Sequence, residues 1–432
     1  SRAKIGMTRE LVVRMRPARV RCTVVDENGT ALDAVVRLTP PSGPEVNDVV
    51  DVDDMLAVLG AWGDCPSTGP TNKRIVGYYI EWGIYGRDYQ PMDIPADKIT
   101  HINYAFADLT AEGHCAVYDE WAALEREGGT YAQLRTLREA HPHLKVLISV
   151  GGWTLSSHFS ETVSTPEGRS AMVESCVDFM FTHGFDGIDI DWEYPVAGGL
   201  YPGTPEDTAN YTLLMAEFRA IFDALGGDYL LTIAAPAGPT TIGHMDLPGL
   251  AESLDFINVM TYDLHGGWET TTNFQSALYA ASDSPVADDV YLNVDAAIQT
   301  YLDAGVPSDK IVMGLPFYGR AWSGVPATDM GLYQTSTGLA HGSWEPGIYD
   351  YSDIVSMMAD PVWVSTMHEE ALVPWAYSAP DGIFITYDNP TSFGHKLDYV
   401  EANGLGGVMF WELSGDTDDH SLVDVLHSRL GG

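Results

Sequence analysis

The chain has 432 residues, 45% of them hydrophobic and 11% aromatic, enough for one large domain with appendages. Its 22 Lys and Arg stand against 61 Asp and Glu, a formal charge of −39, which excludes nucleic acid as a partner because phosphate binding needs a basic surface. No apolar run approaches the roughly 18–20 residues of a membrane span, so no membrane partner is expected.

Residues 1–25 carry seven Lys/Arg and one acidic residue, against the trend of everything that follows. They lack the apolar core of a signal peptide, so the expectation is that a signal was removed or that the chain begins downstream of one. Val20–Leu38 holds two β-rich runs around Glu27-Asn28-Gly29, the pattern of a hairpin. Glu45–Gly63 is an acidic stretch leading into a short apolar helix. It resembles half of a dockerin repeat whose calcium loop has lost two residues, the turn glycine among them. Residues 1–63 are therefore read as an N-terminal appendage and Asp64–Asn72 as a Pro/Gly/Ser/Thr linker.

From Lys73 the pattern becomes regular. Apolar strands are predicted at Arg74–Ile80, Ile99–Leu109, Leu144–Val150, Phe185–Glu193, Tyr229–Pro236, Asp255–Tyr262, Lys310–Phe317 and Gly406–Glu412. Amphipathic stretches such as Tyr131–Ala140, Gly168–His183 and Thr208–Leu225 separate them. This is the signature of an α/β fold, a TIM (β/α)8 barrel over residues 73–432. No GxGxxG turn follows the first strand, which argues against a doubly wound sheet. The aromatic-rich residues 321–395, too long for one helix, read as an α+β insertion between strands 7 and 8. Cys22, Cys65, Cys115 and Cys176 show no metal-ligand spacing and leave two, one or no disulfide open.

Residues 185–195, Phe-Asp-Gly-Ile-Asp-Ile-Asp-Trp-Glu-Tyr-Pro, place four carboxylates inside an apolar segment. On a strand, Asp189, Asp191 and Glu193 share one face at steps of roughly 6.5–7 Å. Asp186 has the wrong parity and is expected to serve structure. Repulsion and desolvation raise the pKa of such a row, so at least one proton is retained near neutral pH, as a general acid requires. A calcium-binding strand or an acidic surface ladder is the alternative, and the interleaved Ile and Trp speak against the ladder. In a barrel, functional groups lie at strand C-terminal ends. Those ends bring Ser149-Val-Gly-Gly-Trp153, Met260-Thr-Tyr262-Asp263, Phe317-Tyr-Gly-Arg320 and Trp411-Glu412 to the same mouth. Acids, a phenol and aromatic faces together suit a sugar chain.

These residues resemble glycoside hydrolase family 18 chitinases over about residues 74–425. Asp186, Asp189, Asp191 and Glu193 match the DxxDxDxE signature, Ser149, Gly151 and Gly152 the SxGG element, and Met260, Tyr262 and Asp263 the MxYD element. Gly77-Tyr78-Tyr79, Thr100–Phe106, Gly314–Arg320 and Trp411 are similar to the family as well. The insertion makes the chain most like the bacterial subgroup with a deep cleft. The resemblance implies that Glu193 protonates the glycosidic oxygen while the substrate's own 2-acetamido oxygen attacks the anomeric carbon. Asp191 would hold the acetamido N–H, Asp189 would share a proton with Asp191, and Tyr262 would orient the acetamido oxygen. Trp411 would floor the −1 sugar, with Met260, Asp263, Tyr194, Trp153, Gly152, Arg320, Tyr78 and Trp268 lining the cleft. Glu120 and Trp121 are candidates for a cleft wall, and His244 and His265 are expected to be loop residues.

The expectation is a secreted, monomeric chitinase that cleaves β-1,4 bonds between N-acetylglucosamine units with retention, needing no metal or cofactor. An endo-β-N-acetylglucosaminidase acting on other glycans shares the same acids, and a chitin-binding lectin is the non-catalytic rival. Lectins of this kind lose the residue at the Glu193 position, which this chain keeps. Six lysines against sixteen arginines point either to adaptation to high salt or to an ordinary acidic secreted protein.

Overall fold

The period-two alternation of the predicted strands is realised as two apolar layers in the computed structural model, which describes the backbone of 20–25 and 31–36 and residues 73–126 and 128–431 in full. On the first barrel strand, Arg74–Ile80, Ile75 and Tyr79 belong to the layer between sheet and helices, whereas Val76, Tyr78 and Ile80 fill the barrel interior. The fourth strand, Gly187–Asp191, repeats the rule: Ile188 and Ile190 join the outer layer, and the intervening carboxylates turn inward. Each fully buried Ile contributes about 1.5–3 kcal/mol, so parity on this strand is strongly enforced.

Parallel pairing runs through all eight strands and closes on itself. The strands are Arg74–Ile80, His101–Leu109, Lys145–Gly151, Gly187–Asp191, Leu230–Ala235, Phe256–Val259, Ile311–Pro316 and Gly407–Trp411. The last pairs back onto the first with Gly407 opposite Arg74. The fourth strand is shorter than the predicted Phe185–Glu193 at both ends. Before it, Gly184 takes a left-handed φ of 79° to end the helix Pro166–His183, and Phe185 N–H still bonds Met180. Asp186 then accepts from Val146 N–H at 2.8 Å and pairs with Arg138 at 3.0 Å, the structural duty its parity implied.

Three predicted helices are present as Thr130–Ala140, Pro166–His183 and Asp207–Leu225. Between the first two strands, however, the described residues form only the 3-10 turns Glu81–Ile84 and Pro91–Asp93. Gly83, Gly86, Pro91 and Pro95 in that segment oppose a longer helix. The insertion is a sheet in which Tyr318–Ser323, Ile383–Thr386, Pro374–Ser378 and Trp363–Met367 pair antiparallel in that order, with a helix at Tyr351–Met358. It starts at Tyr318, not 321. Residues 390–395 belong instead to the barrel helix Pro390–Ala402, capped by Asn389 with Pro at its first turn.

The chain divides into two units between Gly69 and Pro70. In the first, Val20–Val25 pairs antiparallel with Ala31–Val36, from Val20 opposite Val36 to Val25 opposite Ala31, around the predicted turn. The dockerin-like segment and the linker lie outside the described residues.

Candidate active site

At the centre of the barrel stands a carboxylate held by four strands. Asp189 accepts hydrogen bonds from Tyr78 (2.7 Å), Ser149 (2.8 Å), Thr232 (2.6 Å) and Asn258 (3.2 Å). Burial pushes its pKa up, and these four donors pull against it by favouring the charged form. Both oxygens of Asp189 are thus occupied by protein donors, which leaves it committed to holding the strands together. Among the described residues no three His, Cys, Asp or Glu side chains are grouped to hold a metal ion.

One step along the same face, Asp191 is 4% exposed and its Oδ1 has no protein partner. Burial first, then the charges of Glu193 and Asp189, raise its pKa well above the ordinary aspartate range. Glu193 follows, partly exposed at the mouth. Burial and the neighbouring Asp263 raise it, a Tyr194 hydrogen bond lowers it, and it stands at about 7. Of the row expected on one strand, the strand carries Asp189 and Asp191, and Glu193 lies two residues past its end with its carboxyl raised by burial.

The turn after the third strand fixes that segment. Gly152 N–H bonds Asp191 C=O at 2.7 Å, Ser156 Oγ donates to Gly152 C=O at 2.8 Å, and Glu193 N–H donates to Ser156 Oγ at 2.9 Å. Gly151 and Gly152 adopt φ of 110° and 91°. A Cβ on Gly151 would lie 2.3 Å from Asp191 O, and one on Gly152 would lie 2.6 Å from the Phe106 ring. Only glycine fits either place.

At the C-terminal end of the eighth strand lies an aromatic cluster. Trp411, on the eighth strand, stacks on Phe106 (5.8 Å, 18°) and contacts Tyr78 (5.5 Å) and Trp82 (6.3 Å). Tyr262 is buried with its hydroxyl 3.6 Å from Met409 Sδ and its ring edge-on to Tyr318. Met260 packs against the same interior cluster. Asp263, at a left-handed φ of 56°, accepts from Tyr318 (2.6 Å) and Arg320 (2.5 Å). Arg320 also lies over Trp268, 4.9 Å from the ring centre. Trp153 and Trp268 are 46% and 62% exposed, free to meet a ligand. Trp121 opens the short helix Trp121–Glu125 and stacks on Tyr85 at 5.7 Å.

Sequence reasoning missed several members. Thr232 and Asn258 are lone polar residues at inward positions of the apolar strands LLTIAA and FINV, a signal that parity alone would have exposed. Ser156 and Trp82 carry no comparable mark. His265 is not a simple loop residue. Its ring is 3% exposed and bridges Glu269 (2.9 Å) and Asp289 (3.1 Å), which secures the loop that bears Trp268. Burial would lower its pKa, but the two carboxylates outweigh burial and raise it to about 9. A raised folded pKa stabilises fully below the unfolded value near 6.5 and is lost as pH rises through about 9. Wild-type protein is expected to lose on the order of 2–3 kcal/mol across that window, and His265→Gln to show no such decline. Thermal melts from pH 6 to 10 compare the two; parallel curves would contradict this assignment.

Residues 74–416 match the family described as Glycosyl hydrolases family 18. The chain is 39% identical over 394 residues to Chitinase A1 of Niallia circulans, covering 79% of this chain and 56% of that protein. It is 36% identical over 374 residues to Chitinase 1 of Aphanocladium album, covering 82% and 84% respectively. The solved structure of Chitinase ChiA74 from Bacillus thuringiensis aligns at a TM-score of 0.78 and 36% identity, over 84% of this chain and 70% of that one. The chain therefore spans little more than half the length of the Niallia protein.

Proposed function

The chain belongs to glycosyl hydrolase family 18, and from that premise we propose that it is a chitinase cleaving β-1,4 bonds between N-acetylglucosamine units with retention of configuration. The observation that carries this reading is the set Asp189, Asp191 and Glu193 at the C-terminal end of the fourth strand, joined through Tyr78 to the Trp411 ring. Glu193, with its carboxyl at about 7, is protonated in a sizeable fraction of molecules at neutral pH and delivers that proton to the leaving oxygen. No second carboxylate acts as nucleophile. The substrate's acetamido oxygen attacks the anomeric carbon and forms an oxazolinium ion. Asp191 accepts from the acetamido N–H and offsets the positive charge that develops, in a site where burial strengthens such contacts. Asp189, pinned by four donors, acts on Asp191 through its charge and so couples the titration of the row. Tyr262 directs the acetamido oxygen, and the Trp411 ring carries the apolar sugar face. Glu193, now a carboxylate, takes a proton from water as it opens the oxazolinium. Two inversions give net retention.

Met260, Asp263, Tyr194, Trp153, Gly152, Arg320, Tyr78 and Trp268 complete the subsites in this reading. Tyr78 and Gly152 act by positioning the acids. Product analysis on chitin hexasaccharide tests the proposal: disaccharide and trisaccharide released as β-anomers are expected. Intact hexasaccharide alongside cleavage of a glycoprotein glycan would favour the endo-β-N-acetylglucosaminidase alternative. Binding without any cleavage would favour a lectin.

Secretion and adaptation to high salt belong to the same reading, supported by the charge of −39 and the scarcity of lysine. Screening of self-repulsion should raise the melting temperature and activity from dilute buffer to molar NaCl. Flat profiles over that range count against it.

A further inference from the structure

Two cysteines that the proposed reaction does not use are brought together behind the cleft wall. The short strand Cys115–Val117 pairs antiparallel with the outer end of the second barrel strand, Leu109 opposite Cys115. Its other side meets the helix Pro166–His183, where Cys115 N–H donates to Ser175 Oγ at 3.0 Å. On the next helical residue, Cys176 is fully buried, and the two thiols lie near enough for each to affect the other's ionisation. Both thiols are free in the structure. The chain leaves this strand directly into Tyr118-Asp119-Glu120-Trp121, where Asp119 accepts from Tyr85 and Trp121 stacks on it.

We propose that Cys115 and Cys176 are a redox pair that closes to a disulfide in an oxidising medium and fastens the arm leading to Trp121 onto the helix behind it. The oxidant is a low-molecular-weight disulfide such as oxidised glutathione. One cysteine loses its proton and its sulfur attacks the external S–S bond, forming a mixed disulfide and releasing one glutathione thiolate. The second cysteine then loses its proton and displaces the other thiolate. Two S–H bonds become one S–S bond, two electrons pass to glutathione disulfide, and the two protons end on the two glutathiones. Burial raises the Cys115 thiol well above its ordinary range, so closure should be slow at neutral pH and quicken as pH rises.

The experiment uses the full chain, reduced, desalted and incubated with or without oxidised glutathione. Denaturation, alkylation, digestion and mass spectrometry then follow. The expected result is a linked pair of peptides containing Cys115 and Cys176, lighter by two hydrogens than the free pair and abolished by dithiothreitol. Because the link closes a loop of about 60 residues, the oxidised protein should melt roughly 3–6 °C higher than the reduced one. Cys115→Ser should melt alike under both conditions, while Cys22→Ser/Cys65→Ser should keep the shift. Recovery of Cys115 and Cys176 as alkylated thiols after oxidation would overturn the proposal. So would a stable glutathione adduct on Cys115, or a link from either cysteine to Cys22 or Cys65 instead.

Discussion

Glu193→Gln is expected to lower kcat on chito-oligosaccharides by about 10²–10⁴-fold, with KM little changed. Glutamine keeps the size of the side chain and leaves the backbone bond from residue 193 to Ser156 in place, but it cannot deliver a proton. The loss should shrink on an aryl glycoside, whose leaving group departs without full protonation, and a merely structural defect would not discriminate in that way. The wild type adds a second readout. Its acid form must be present, and burial, Asp263 and Tyr194 together set Glu193 at about 7. The alkaline limb of kcat/KM should therefore fall with an apparent pKa near 7, a property of the coupled Asp191–Glu193 pair. A mutant retaining more than a tenth of wild-type kcat on the oligosaccharide would falsify the assignment of Glu193 as acid.

Lys396→Met is expected to cost about 3–5 kcal/mol of stability, the largest such effect outside the acids. Lys396 Nζ lies 2.7 Å from Asp388 Oδ2, and both side chains have no exposed surface. The same nitrogen donates to Ser276 Oγ at 2.7 Å, and Ser276 donates to Thr261 C=O at 2.7 Å. Methionine fills the space yet strands the Asp388 carboxylate without a counter-charge. Burial already lowers the Lys396 pKa, opposed by Asp388. Asp388→Asn combined with Lys396→Met should recover most of the loss, since no buried charge is then left alone. Urea melts of both variants measure this, and a single-variant loss below about 1 kcal/mol would show the pair to be dispensable.

The barrel was legible because its strands are buried on both faces and read as short apolar runs between turns. Its first crossover was not, for the glycines and prolines of 81–100 permit several short conformations that no periodicity distinguishes. The insertion was placed late because Tyr318–Ser323 follows the seventh strand with hardly a break. Asn389-Pro390, a local helix-start signal, marked its end more reliably than the aromatic content did. Among site residues, Asp189, Asp191 and Glu193 were legible because they follow one another at every second position, although the strand itself ends at Asp191 and Glu193 stands two residues past it. Their supports come from strands scattered through the chain. Thr232, Asn258 and Ser156 find Asp189 or Glu193 only after the barrel closes. His265 shows the same limit, since its partner Asp289 lies on a distant turn.

The parity of the fourth strand also makes catalysis a gauge of correct folding. A slip by one residue would drive Asp189 and Asp191 into the layer now filled by Ile188 and Ile190, and four donors from four strands would lose their common acceptor. Such a misaligned barrel would be at once unstable and inert. Populations of this protein should therefore contain no well-folded but inactive fraction of that kind, and specific activity should rise in step with native content during refolding.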